Sequence, residues 1–254
     1  MRAPATSIAE FVPFSAHVSA HVVKTTGGDY LLTWRLAGLP FVGREAWELE
    51  HRHGSFNRLL QTLRAPDFVN VAFWVHDVRR RGRIDMRGDF AQAFNQDLSD
   101  AYFAALSSQK IMQNELYLTM LFRPVVTGRR FVEKSTDRMR LQAEQDQHVA
   151  KLDELAGNVE AVLRDYAPVR LGMYTGANGV VFSSTLELFA YLLNRIDEPV
   201  PVLRAPLCDY LAVSRHTFSA RSGDFVVSPP GVDHRYGAIL NIKEYTDATW
   251  PGIL

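Results

Sequence analysis

Between residues 25 and 124 the hydrophobic period of this chain changes four times, and that alternation limits its fold more than any other feature. In YLLTWRL (30–36), Tyr30, Leu32, Trp34 and Leu36 fall on one side and Leu31, Thr33 and Arg35 on the other, the period of two that marks a strand. Residues 44–64 shift to helical spacing through Trp47, Phe56, Leu59, Leu60 and Leu63. Gly54 weakens the middle of that helix and Pro66 stops it. Asn70 to Val78 reads as a second strand, and Asp89 to Ser107 as a second helix, with Phe90, Phe94, Leu98 and Tyr102 at i, i+4, i+8 and i+12. NELYLTMLFRP (114–124) is a third strand, closed by Pro124. The order strand–helix–strand–helix–strand predicts an α+β fold, an α/β sandwich whose first half is ferredoxin-like: a mainly antiparallel sheet with both helices on one face.

The second half continues differently. A helix is expected over 133–166, polar at first and then apolar at Leu152, Leu155, Val159, Val162, Leu163 and Tyr166. Its length suits a helix that projects from the body or one that bridges two subdomains. Asn178-Gly179 is a hairpin signal between two β-prone runs. Ser184 with Glu187 three residues on reads as a capping box for a helix over 183–194. Pro199, Pro201 and Pro206 mark an extended connector, a further hairpin turns at Ser222-Gly223, and 234–245 reads as another strand. TTGGDY (25–30) makes the first turn of the chain. The expected division is an arm at 1–14, a first α/β subdomain at 15–130, and the long helix with a hairpin-rich second subdomain at 131–254.

A hydrophobic content of 47% and a charged content of 22% belong to a globular protein rather than a disordered one. The 28 basic and 28 acidic residues cancel, which is unlike a dedicated DNA-binding domain. A single cysteine, Cys208, excludes an internal disulfide and fits a reducing compartment. No apolar run approaches the length of a membrane span, and MRAPATSIAEFVPF lacks the apolar core of a signal peptide.

Catalytic signatures are missing from the sequence. It contains no G-x-x-x-x-G-K-[ST], no G-x-G-x-x-G after a strand, no G-x-S-x-G and no H-E-x-x-H. His17 and His21 lie in an extended pattern without a third ligand, and His51 and His53 fall on different sides of a helix. Cys208, Asp209 and His216 contain the residue types of a thiol triad, which only geometry could establish. The expectation is a chain with no catalytic, cofactor or metal site of its own.

One chemical signal is concentrated. VHDVRRRGRIDMRGDF carries Arg79, Arg80, Arg81, Arg83 and Arg87, five positive charges in nine residues. Three readings suit it: a solvated loop between strand and helix, a surface for an acidic partner or anionic membrane, or a nucleic-acid contact. No aromatic residue interleaves the arginines, so a stacking platform for single strands is not indicated.

The order of segments resembles the N-terminal region of the CagE/TrbE/VirB family of type IV secretion and conjugal transfer ATPases. The resemblance runs from FVPFSAHVSAHVVKTTGGDYLLTWRLAGLPF through NVAFWVHDVRRR, NELYLTMLFRP and LGMYTGANGVVFSSTLELFAYLLN to RYGAILNIKEYTDATWPGIL. It implies a part in a translocation machine moving DNA or protein, at the cytoplasmic face of the bacterial inner membrane. It also implies inner-membrane secretion subunits as partners and homo-oligomers in the parent. ATP and Mg²⁺ would belong to a motor domain, and no position up to Leu254 matches its nucleotide-binding motifs. The resemblance thus implies a docking and assembly domain that does not hydrolyse ATP alone. The rival reading is a module that handles transferred DNA through Arg79–Arg87.

Overall fold

A computed structural model of the chain describes residues 7–38, 43–62, 69–82, 88–107, 111–124, 138–219 and 223–240. After a 3-10 turn at Ile8–Phe11 come β1 (Phe14–His17), β2 (Val22–Thr25) and β3 (Tyr30–Leu36). Helix α1 (Ala46–Thr62) leads to β4 (Val71–Arg81), and α2 (Ala93–Ser107) leads to β5 (Met112–Phe122). The long helix α3 (Arg138–Val162) and a second 3-10 turn (Arg164–Tyr166) precede β6 (Val169–Arg170), β7 (Met173–Thr175) and β8 (Val181–Ser183). Then follow α4 (Ser184–Asn194), α5 (Leu207–Leu211), β9 (Arg215–Phe218), β10 (Asp224–Ser228) and β11 (Arg235–Ala238).

The α+β class and the antiparallel sheet are as the sequence predicts. The main sheet has the order β1-β2-β3-β5-β4, with β6 pairing β3 where β2 has run out. Because β5 is antiparallel to both β3 and β4, those two strands run parallel with β5 inserted between them, a split β-α-β arrangement. A three-stranded sheet (β11-β10-β9) and the β7–β8 hairpin stand apart. Gly28, Gly179 and Gly223 adopt φ of 89°, 76° and 71° at the three turns, the left-handed region that glycine enters without a steric penalty.

The alternation in Tyr30–Leu36 distributes residues as expected. Tyr30, Leu32, Trp34 and Leu36 enter one core with Leu118, Met120 and Phe122 of β5. The helix that covers this face is α3, through Leu152, Leu155, Ala156 and Val159. The opposite face carries Leu31 and Val23, covered by Leu186, Leu188 and Phe189 of α4 and Leu207 and Leu211 of α5. Phe14 stacks on Phe189 with ring centroids 4.2 Å apart. The sheet is therefore covered on both faces, and by helices of the second half. The apolar stripe of α2 does not cover it: Phe90, Phe94, Leu98 and Tyr102 are all exposed, Phe94 to 73%. A helical period shows that a helix is amphipathic; it does not show what meets its apolar side.

Several local expectations move by a residue or more. Strand β4 runs on through Arg79–Arg81, because β5 pairs with it without interruption from Phe122 to Met112. Helix α3 begins, within the described residues, at Arg138, and residues 133–137 of the expected helix lie outside them. The N-cap of α4 is Ser183, not Ser184: Ser183 Oγ accepts from Leu186 N at 3.3 Å. Ser184 Oγ instead accepts from Gly172 N at 3.0 Å and donates to Gly172 O at 3.1 Å. Glu187 accepts the Tyr174 hydroxyl at 2.6 Å rather than closing a capping box. Residues 241–245 of the expected last strand lie outside the described residues.

Two polar contacts fix the layers. Trp34 Nε1 donates to Glu160 Oε1 at 2.6 Å, and Arg170 Nε donates to the same oxygen at 2.5 Å, joining β3, α3 and β6. Burial alone would raise the Glu160 pKa, but the hydrogen bonds from Arg170 and Trp34 and the Arg170 charge hold it below the ordinary glutamate value. Asn194, buried at the end of α4, accepts from Val213 N and Ser214 N at 2.9 and 3.0 Å and donates to Leu211 O at 2.6 Å.

A carboxylate whose folded pKa is depressed contributes stability above its unfolded pKa, and that contribution disappears as pH falls through the folded value. Urea titrations of Glu160→Gln against the parent chain should show the parent more stable near neutrality, with the gap closing below the ordinary glutamate range. A gap that stays constant with pH would refute the assignment. At Gly172 an added Cβ would lie 2.4 Å from the Ala20 carbonyl oxygen. Gly172→Ala is expected to cost roughly 1–3 kcal/mol by overpacking against backbone, read as a lower urea midpoint at unchanged slope.

Candidate partner interface

Arg79, Arg80 and Arg81 lie on a strand end, not in a loop, and the two-residue period of a strand sends neighbouring side chains to opposite faces. Phe73 and Arg79 belong to the face that α3 covers further along the sheet; Val78 and Arg80 belong to the face of α4. Arg79 is exposed and sits opposite Asn114. Arg81 is paired in register with Met112. Arg83 and Arg87 lie outside the described residues.

Arg80 is not a free surface charge. Its Nε is 2.9 Å from Glu115 Oε2, an ion-pair contact outside hydrogen-bonding angles, and its side chain is 19% exposed. Its Nη1 contacts Asp197, which follows α4. Its guanidinium lies 4.1 Å from the centre of the Tyr191 ring on α4. Burial works against the charge, yet the hydrogen bond and charge of Asp197, with the charge of Glu115, raise the Arg80 pKa above its ordinary value. Tyr117 donates to Glu115 Oε2 at 2.7 Å, and burial together with that carboxylate pushes its pKa up to about 12. Arg80 thus pins α4 and its C-terminal extension to the β4–β5 edge. Sequence reasoning missed Glu115, Tyr117, Tyr191 and Asp197. Only the cross-strand register, which places Val78 against Glu115, hints at the first of them.

The other residues singled out by sequence have structural partners or stand apart. His17 Nε2 is 2.8 Å from Ser183 Oγ and its Nδ1 3.2 Å from Ser19 O, while His21 Nδ1 is 2.9 Å from Leu171 O. The His17–Ser183 bond ties the β1–β2 turn to the start of α4, and the His21–Leu171 bond ties it to the link between β6 and β7. Burial lowers the pKa of His17. Cys208 Sγ contacts only its neighbour Asp209, at 3.7 Å, among hydrogen-bonding groups, and no hydrogen bond joins either residue to His216. His216 lies on β9 with its ring tilted against Phe218. The thiol triad is not assembled. Among the described residues no group of three His, Cys, Asp or Glu side chains could hold a metal ion. No described helix is long and apolar enough to cross a membrane.

Arg79 thus presents an exposed side chain on a strand anchored by its neighbour Arg80. Arg80→Ala should lower stability by roughly 1–2 kcal/mol through lost packing and ion pairing, while Arg79→Ala should stay within about 0.5 kcal/mol of the parent. Paired thermal or urea melts check this; equal effects would contradict the assigned division.

Residues 21–129 match the family described as type IV secretion system ATPase VirB4/TrbE, N-terminal domain. Residues 169–254 match the family described as CagE, TrbE, VirB family, component of type IV transporter system. The chain is 32% identical to the type IV secretion system protein virB4 of Brucella suis, over 98% of this chain and 30% of that protein. It is 33% identical to the type IV secretion system protein PtlC homolog of Bordetella bronchiseptica, over 98% and 30%. With virB4 of Bartonella quintana the identity is 24%, over 96% and 31%. The chain thus spans about 30% of the length of the curated relatives it matches.

Proposed function

The chain belongs to the CagE/TrbE/VirB family and carries the N-terminal domain of its VirB4/TrbE ATPases; from that premise we propose that it is the docking and assembly part of a type IV secretion ATPase. In this reading it couples an ATP-driven motor to the inner-membrane complex during transport of DNA or protein. ATP and Mg²⁺ act in the remaining length of the parent, since this sequence has no phosphate-cradling loop with its Lys and Ser/Thr. The chain acts at the cytoplasmic face of the inner membrane, held by secretion subunits and by anionic lipid.

The observation that carries this reading is the presentation of arginine on a rigid edge. The Arg80 anchor holds the end of β4, so Arg79 is displayed at a fixed place rather than on a loop. Attraction to an anionic leaflet is worth about 1 kcal/mol per basic residue near the surface. Arg79, Arg81, Arg83 and Arg87 together supply enough to hold a domain already positioned by protein partners.

Replacing all the arginines at once would confound binding with unfolding, because Arg80 is structural. The informative variant is Arg79→Glu/Arg81→Glu with Arg80 intact. Its affinity for phosphatidylglycerol vesicles, or for the inner-membrane subunits in detergent, should fall at least about tenfold, a loss of the order expected for reversing two surface charges. Unchanged binding to both would overturn the proposal. Binding to DNA that weakens steeply with salt, alongside unchanged vesicle binding, would support the nucleic-acid reading instead.

A further inference from the structure

The main sheet has two edges of opposite character. At one end β1 is four residues long and its pairing with β2 is irregular between Phe14 and Ala16. Short, bulged strands are how sheets usually discourage further pairing. At the other end β4 is eleven residues long, free of proline, and in unbroken register with β5 from Val71 to Arg81.

The direction of its backbone groups follows from the ladder. Arg123 N donates to Asn70 O and Gly82 N donates to Ile111 O, both at 2.9 Å. In an antiparallel ladder, hydrogen-bonded and non-bonded pairs alternate. Even-numbered residues of β4 therefore bond to β5. Val71, Phe73, Val75, Asp77, Arg79 and Arg81 point their N–H and C=O groups away from it. Among the described residues these groups make no backbone hydrogen bond. Val75 and Trp74 at this edge are 64% and 46% exposed.

We propose that β4 is a pairing edge for β4 of a second copy of this chain, antiparallel about a two-fold axis at Val78. Only outward-facing odd residues can bond to one another across such an axis, which restricts the register to one centred on a residue. Centring on Asp77 sets two aspartates face to face, and centring on Arg79 sets two arginines face to face. Centring on Val78 sets Asp77 of each copy opposite Arg79 of the other, twice. Neither side chain forms a hydrogen bond or ion pair within the described part of its own chain. The same register sets Trp74, the largest exposed side chain of the strand, opposite Gly82, which leaves room for it. Nine residues of each strand, Trp74 to Gly82, take part. The pairing joins the two main sheets into one and brings both copies of the basic strand end together. It engages the same Arg79 as the docking reading, and the two are told apart because the pairing is measured without lipid or secretion subunits.

The test is sedimentation of the 254-residue chain from low micromolar to hundreds of micromolar concentration. A reversible monomer–dimer equilibrium is expected. Val75→Pro removes an outward N–H and no bond to β5, so it should give a folded monomer by circular dichroism and melting. Asp77→Arg should weaken the dimer at least about tenfold by opposing like charges at two places, and Asp77→Arg/Arg79→Asp should restore it. A chain that stays monomeric throughout overturns the proposal. So does a dimer indifferent to Val75→Pro, or a double variant no stronger than the single one.

Discussion

The structure depends on the insertion of β5 between β3 and β4. Seven residue pairs join it to β3 and eleven join it to β4, so without it β4 would have no place in the sheet and β3 would lose its longest partner. It also feeds both cores: Leu118, Met120 and Phe122 face α3, and Tyr117 faces α4. Burying each such large apolar side chain contributes about 1.5–3 kcal/mol relative to exposure, so truncations along β5 act on two layers at once. At its centre Thr119 Oγ1 meets Thr33 Oγ1 at 3.0 Å, and both residues are fully buried. Each hydroxyl satisfies the other in a place where an unpaired one would carry the full cost of desolvation. The pairing also sets the order of events in the sequence: the strand that closes the split β-α-β unit is the last of its three to be made.

The elements were legible where a single physical period governed them. Tyr30–Leu36 alternates strictly, and the structure divides its residues between two cores as the alternation requires. The Asn178-Gly179 turn needed only local chemistry, and Gly179 supplies its positive φ. Where two neighbouring residues could play one role, the sequence did not decide. Ser183 and Ser184 can each cap a helix; Gly172 settles the choice, because its backbone comes close enough to occupy the Ser184 hydroxyl. That approach depends on β6 and β7 lying beside the β1–β2 turn, a contact between residues some 150 positions apart. Helix coverage failed to be legible for the same reason. The stripe on α2 is as regular as the seam on α3, yet α3 is buried on the sheet and α2 is exposed, since what meets a face is a property of the whole chain.

The candidate site shows the same limit more sharply. The sequence displays five arginines as one cluster, but a strand is not a patch. Its alternation gives Arg79 and Arg80 to opposite faces and hence to different chemistry. One pairs with carboxylates contributed by β5 and by the segment after α4, under the Tyr191 ring; the other stays in solvent. The partners of Arg80 come from positions 115, 191 and 197, and no local pattern announces them. Counting charges along the chain therefore overstates the basic surface by at least the one that the fold itself neutralises.

That neutralised charge is also what makes the strand end usable. An arginine on a loop samples many positions, and ordering it against a partner costs side-chain and backbone entropy together. Here the Arg80 anchor and the unbroken ladder have already fixed the backbone, so only side-chain freedom remains to be lost at Arg79. Successive outward residues of a strand repeat at about 6.6–6.8 Å, the spacing of another extended strand. A rigid edge with that repeat, carrying Asp77 next to Arg79 in the outward row and bare at Gly82, is selective in a way that a flexible basic loop is not. It discriminates by register as well as by sign: a slip of two residues either way turns an attractive pair into a repulsive one. The contrast with the short, irregular β1 edge gives this sheet a single direction in which it can grow.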